Sequence, residues 1–96
     1  MSDAPPGASI SKMYYVYVLQ SLRDKSLYVG YTTNLKQRIA SHKKGENFST
    51  KYKIPIELIF YEAYLEKSDA KRRELYFKTT KGKTTLRTML KDYLNK

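Results

Sequence analysis

Two short stretches of the chain place aromatic and β-branched residues with the two-residue period of a strand. They are Met13-Tyr14-Tyr15-Val16-Tyr17-Val18-Leu19 and Leu27-Tyr28-Val29-Gly30-Tyr31-Thr32. The polar segment between them, Gln20 to Ser26, carries Asp24 and predicts a hairpin connection. With Gln20 set opposite Lys25, the register brings Tyr17 directly opposite Tyr28, on one face and within touching distance. The period then changes. Thr33 or Asn34 can cap a helix over Leu35 to Lys44, with Gly45 as its stop. A polar stretch from Glu46 to Lys53 is closed by Pro55, and Ile56-Glu57-Leu58-Ile59-Phe60-Tyr61-Glu62-Ala63 predicts a third, well-buried strand. Ser68 or Asp69 is positioned to cap a second helix running to about Lys78 or Thr79, and Gly82 is expected to break the chain. A last helix over about Thr85 to Leu94 lines up Leu86, Met89, Leu90 and Tyr93 on one face. No internal repeat is visible. The pattern predicts a small α+β domain of three strands and about three helices.

Length and composition narrow the setting. Ninety-six residues allow one domain with a modest core. We expect that domain over residues 13–96. The segment Met1 to Lys12 is rich in Ser, Ala, Pro and Gly and lacks the basic start and apolar run of a secretory signal. It is expected to be a flexible tail, with Met13 as an alternative start. No apolar run approaches the roughly 20 residues of a membrane span, so no membrane partner is expected. The absence of cysteine excludes a disulfide framework and any thiolate metal site, and makes the cytoplasm the expected compartment. Nineteen Lys and Arg against nine Asp and Glu leave a formal charge of +10, and nine basic residues face two acidic ones between Lys71 and Lys96. Such an excess in a short chain favours a polyanionic partner, nucleic acid first.

Three positions break the pattern in ways that bear on chemistry. The core-facing stripe of the first helix, at positions 35, 38, 39 and 42, is occupied by Leu35, Arg38, Ile39 and His42. An arginine there is costly unless it is paired or opens into a cleft. It can also snorkel from the stripe's edge while the chain's one histidine sits half-buried and satisfied. Glu74 shares a face of the second helix with Ala70 and Phe77, an acid among apolar neighbours. It fits either a salt bridge to a neighbouring Arg or a single-carboxylate Mg²⁺ site; Glu62 is its main competitor, ahead of Glu57 and Glu66. The ten tyrosines exceed what such a core needs. They can pack, stack on bases, or move protons where nearby cations such as Arg38 and His42 lower the hydroxyl pKa.

Tyr15-Val16-Tyr17, followed eleven positions on by Tyr28-Val29-Gly30, resembles the signature of the GIY-YIG nuclease family. The likeness continues from Tyr31 through Arg38 to His42, and in Asn47-Phe48-Ser49-Thr50-Lys51-Tyr52 and Asp69-Ala70-Lys71-Arg72-Arg73-Glu74, which are similar to the family's short stand-alone members. It covers about residues 13 to 94. The resemblance implies a three-stranded antiparallel sheet flanked by helices and an endonuclease that hydrolyses DNA phosphodiester bonds with one divalent metal, Mg²⁺ or Mn²⁺. It implies Tyr17 and Tyr28 as the signature tyrosines, Arg38 as the catalytic arginine, His42 as the nearby His-or-Tyr position and Glu74 as the metal ligand. The first signature glycine is Tyr15 here. The late active-site Asn of larger members has no counterpart carried over, since only Asn95 follows Asn47.

The expected mechanism has Arg38 neutralising charge on the phosphate and a tyrosine activating water with help from His42. Tyr17 is favoured over Tyr28 for that step. Lys36, Lys43, Lys44, Lys51 and Lys53 are expected around the mouth of the site, and Lys71, Arg72, Lys78, Lys81, Lys83 and Arg87 as a second basic surface. Structure-selective or single-strand cutting with a repair-like role is the expected outcome. A nucleic-acid-binding module without catalysis and a domain docking an acidic protein are the rival readings. The oligomeric state is left open.

Overall fold

The computed structural model describes residues 12–96. The expected tail therefore lies outside the described residues, apart from Lys12. The element order is β1 (Tyr14–Ser21), β2 (Leu27–Thr32), α1 (Leu35–Lys43), β3 (Ile56–Tyr64), α2 (Lys67–Phe77), α3 (Thr80–Met89) and α4 (Lys91–Leu94). The strands form one antiparallel sheet in the order β2-β1-β3, so the α+β class holds. No helix among the described residues is long and apolar enough to cross a membrane.

Placing β1 at the centre explains its composition. Val16, Tyr17 and Val18 are each fully buried, because helices cover both faces of the strand. Val16 and Val18 point to a cluster with Ala70 and Phe77 of α2 and Leu86 of α3. Tyr17 and Leu19 point the other way, to Ile39 of α1 and Ile56 of β3. Between Val18 and Leu19 the ladder to β3 shifts register, which sets Leu58 opposite Leu19 and Ile56 opposite Ser21. Arg73 ties α2 to β3: it donates two hydrogen bonds to Glu62, at 2.9 and 3.1 Å, and its guanidinium lies 4.3 Å from the centroid of Phe77.

The hairpin departs from the expected register. Gln20 pairs with Leu27 rather than Lys25, so Tyr17 lies opposite Gly30 and Tyr28 lies opposite Leu19. The connection closes with the Ser21 N–H donating to the Ser26 carbonyl at 2.9 Å. A slip of two residues keeps every side chain on its face. Tyr17 and Tyr28 therefore remain neighbours, diagonally, with ring centroids 6.4 Å apart. The pairing also gives Gly30 a reason. A Cβ there would sit 2.3 Å from Tyr17 Cζ and 2.4 Å from its hydroxyl oxygen, so the bare backbone is what lets the ring lie across β2.

α1 follows expectation. The Asn34 side chain accepts from the Gln37 N–H, and Gly45 follows the last turn. The later helices differ. α2 starts at Lys67 with Glu66 as N-cap, so Ser68 and Asp69 lie within its first turn and are not its caps. Gly82 does not break the chain; it is buried in the first turn of α3, which Thr79 caps by accepting from the Gly82 N–H at 2.9 Å. The expected final helix is split into α3 and α4 at Leu90.

Two glycines should respond differently to a methyl group. Gly30→Ala meets a side chain that can shift, whereas a Cβ on Gly82 would lie 1.7 Å from the backbone carbonyl oxygen of Tyr76. Chemical denaturation should show Gly30→Ala losing about 1–3 kcal/mol and Gly82→Ala losing more. The reverse order would contradict the packing described.

Candidate active site

The face of the sheet under α1 gathers four of the five residues singled out by sequence. His42, on the last turn of α1, is fully buried, and its ring lies 5.6 Å from that of Tyr17 and 5.3 Å from that of Tyr28. Its Nε2 is 2.9 Å from the Tyr17 hydroxyl and its Nδ1 is 2.6 Å from Thr50 Oγ1. Arg38, one turn earlier, is exposed at the stripe's edge, and its charge acts on the Tyr17 hydroxyl. Two arrangements satisfy both contacts: Tyr17 donates to Nε2 while the Nδ1–H donates to Thr50, or the Nε2–H donates to Tyr17 while Thr50 donates to Nδ1. Among the described residues Arg38 has no carboxylate partner, so its charge is open to an incoming anion.

The electrostatics correct one expectation. The Tyr17 pKa is not lowered; burial, reinforced by Tyr28, pushes it up to about 12, against the opposing influence of Arg38. The hydroxyl is protonated at neutral pH. Burial and then the Arg38 charge hold His42 below its ordinary 6.5, so the imidazole is neutral and able to accept.

Glu74 comes from the opposite face of the sheet, on α2, and its charge still acts on the Tyr17 hydroxyl. It is 7% exposed, and its two oxygens accept from Lys71 at 3.0 Å and Lys78 at 2.9 Å. The partners are lysines and not the neighbouring arginine of the salt-bridge alternative. Burial pushes the carboxyl up, but the hydrogen bonds from Lys78 and Lys71 outweigh it and keep the group ionised. No cluster of three or more His, Asp or Glu residues occurs among the described residues. Any metal would therefore be held as Mg²⁺ often is, by one carboxylate with water and substrate oxygens. Glu74 meets that chemistry: a hard, ionised oxygen donor whose present partners sit on flexible, half-exposed stems. The competitor Glu62 is instead taken up by Arg73 and Tyr64.

The basic residues divide. Lys43 and Lys44 are exposed at the end of α1 beside His42, and Lys51 lies between two aromatic rings. Lys53 is ion-paired with Asp24 at 2.6 Å, a contact that, with Ser26, holds the Asp24 carboxyl well below the usual range. Lys36 borders a separate cleft with Tyr15 and Tyr61. In the second group, Lys71 and Lys78 hold Glu74 and Arg72 pairs with Asp69. Lys83 and Arg87 join Lys78 and Tyr28 around a cleft of about 440 Å³ between β2 and the α2–α3 pair, while Lys81 is exposed on α3. Sequence reasoning gave no role to Thr50. It is 2% exposed and fixes His42, yet it stands in a polar run with no periodicity to mark it.

This constellation lies within residues 13–87, which match the family model described as the GIY-YIG catalytic domain. Among curated proteins, the chain is similar to UPF0213 proteins of Streptococcus pyogenes from serotypes M3, M5 and M28. Each is 41% identical over 75 residues, spanning 77% of this chain and 80% of the relative. No solved structure matches significantly. By its match to that family model over most of its length, the chain belongs to the GIY-YIG nuclease family.

Proposed function

We propose that this protein is a divalent-metal-dependent endonuclease that hydrolyses phosphodiester bonds in DNA. The observation that carries the reading is the buried run of hydrogen bonds from the Tyr17 hydroxyl through His42 to Thr50, with the exposed guanidinium of Arg38 beside it. Tyr17 holds its proton too tightly to be a standing phenolate. It can still serve as a relay. As the hydroxyl takes a proton from an attacking water, it releases its own to neutral His42 Nε2. Thr50 keeps that nitrogen free by holding the other one protonated. Arg38 offers its guanidinium to the phosphate oxygens, where negative charge builds. Mg²⁺ or Mn²⁺ on Glu74 would supply charge neutralisation at the phosphate and leaving oxygen. Tyr28, half-buried against both other rings, lines the basic cleft and orients Tyr17. Structure-selective cutting in a repair-like role is consistent with a matched region that carries a single catalytic domain.

Cleavage of labelled single- and double-stranded DNA with Mg²⁺ tests the assignment. Arg38→Ala should lower kcat by about 100- to 1000-fold, and Arg38→Lys should not restore it, because a point charge cannot replace a planar fork. Glu74→Gln should abolish the metal dependence along with the rate. Activity intact in both Arg38→Ala and Glu74→Gln would remove the site. Equal DNA binding in EDTA with no cleavage under any metal would favour the purely binding module.

The pH profile gives a second check. His42 acts as its neutral form, and its pKa lies below 6.5, so the rate should hold at pH 6.5 and fall with a single-proton limb only at lower pH. His42→Gln should remove that limb. A limb centred above 6.5 would mean that His42 is stabilised as the cation, contrary to its burial beside Arg38.

A further inference from the structure

The loop between α1 and β3 exposes two large aromatic side chains, Phe48 at 81% and Tyr52 at 71%. Between them stands Lys51, its Nζ 5.0 Å from each ring centroid. A single exposed aromatic needs no explanation. Two rings bracketing one ammonium on a pinned backbone do. Thr50 is bonded to His42, the Ser21 hydroxyl donates to the Lys53 carbonyl at 2.7 Å, Arg23 donates to the Tyr52 carbonyl at 3.1 Å, and Lys53 is paired with Asp24. The rings are thus presented on a fixed support, which reduces the ordering cost of binding. The loop also adjoins the candidate site: Ser49 and Thr50 share a small cavity with Tyr28.

Flat apolar rings with a cation between them match a nucleobase and its phosphate. A duplex interior keeps its bases stacked on one another and offers no free faces, whereas a single strand does. We propose that Phe48 and Tyr52 stack on unpaired bases while Lys51 contacts the intervening phosphate, so that the loop selects single-stranded nucleic acid beside Tyr28. The position of the strand relative to Tyr28 rests on the nuclease reading; the stacking does not.

The test is binding in EDTA of a fluorescent single strand of about 12 nucleotides, within the usual footprint of such sites, against a blunt duplex of the same sequence. The wild type should prefer the single strand. Phe48→Ala with Tyr52→Ala should weaken single-strand binding by about tenfold per ring, leave duplex binding within about twofold, and preserve the salt dependence because Lys51 remains. Phe48→Tyr with Tyr52→Phe should retain wild-type binding, and both variants should unfold at the wild-type temperature. Single-strand binding unchanged by ring loss, or an equal loss on both DNAs, would overturn the proposal. So would sedimentation showing that the rings hold two copies together with no effect on DNA. Because no metal is present, the stacking result stands or falls apart from cleavage. A strand bound as described but never cut with Mg²⁺ would count against the nuclease alone.

Discussion

The hydrogen bond between the Tyr17 hydroxyl and His42 Nε2, 2.9 Å long and fully buried, joins the central strand to the first helix. Several otherwise separate features of the chain follow from it. The Tyr17 ring must lie across β2 to reach His42, so a side chain at the position opposite would displace it, and Gly30 stands there. His42 must be held in one orientation, so Thr50 is drawn in from the following loop and buried at 2.6 Å from Nδ1. That in turn fixes the loop carrying Phe48 and Tyr52. Strand, helix and loop are cross-linked at one imidazole, and the exposed guanidinium of Arg38 acts on the network through its charge.

The energetic tension at this point is instructive. Burial works against every charge: it raises Tyr17, lowers His42, and taken alone would raise Glu74. At Glu74 the two lysines win and the carboxylate stays ionised. At Tyr17 burial wins over the nearby arginine, at His42 burial and the arginine's charge act together, and both groups stay neutral. The outcome is a neutral donor–acceptor pair between a free cation and a buried anion. Such a pair can move a proton without first creating a phenolate, and the tyrosine's high pKa is then compatible with proton transfer.

Local periodicity was enough to read the three strands, the first helix and their faces. The alternation in β1 and β2 assigned Tyr17 and Tyr28 to one face, and the 35-38-39-42 stripe turned Arg38 and His42 toward it. Alternation fixes parity but not register, which depends on how the connection closes; the backbone bond from Ser21 to Ser26 moved the pairing by two residues. Gly82 read as a breaker because glycine is a poor helix former. It is inside a helix because Tyr76 approaches too closely for any Cβ, a tertiary fact that no local pattern encodes. Thr50 was hidden for the same reason. The lysines around Glu74 were visible as charges, but their pairing with it depends on the i, i+3 and i, i+4 geometry of a helix continuing through Phe77. The roles of these residues came from the family signature; the geometry contributes the connections among them.

Since the chain has one histidine, its ring nitrogens can be observed without ambiguity. The direct measurement is the nitrogen-15 spectrum of His42 in the folded protein at neutral pH. The proposed relay requires a neutral ring protonated at Nδ1, with Nε2 unprotonated and accepting from Tyr17, and that signal pattern should persist below pH 6.5, the ordinary histidine value. A ring protonated at Nε2, or an imidazolium at neutral pH, would contradict the relay and the tyrosine's part in it.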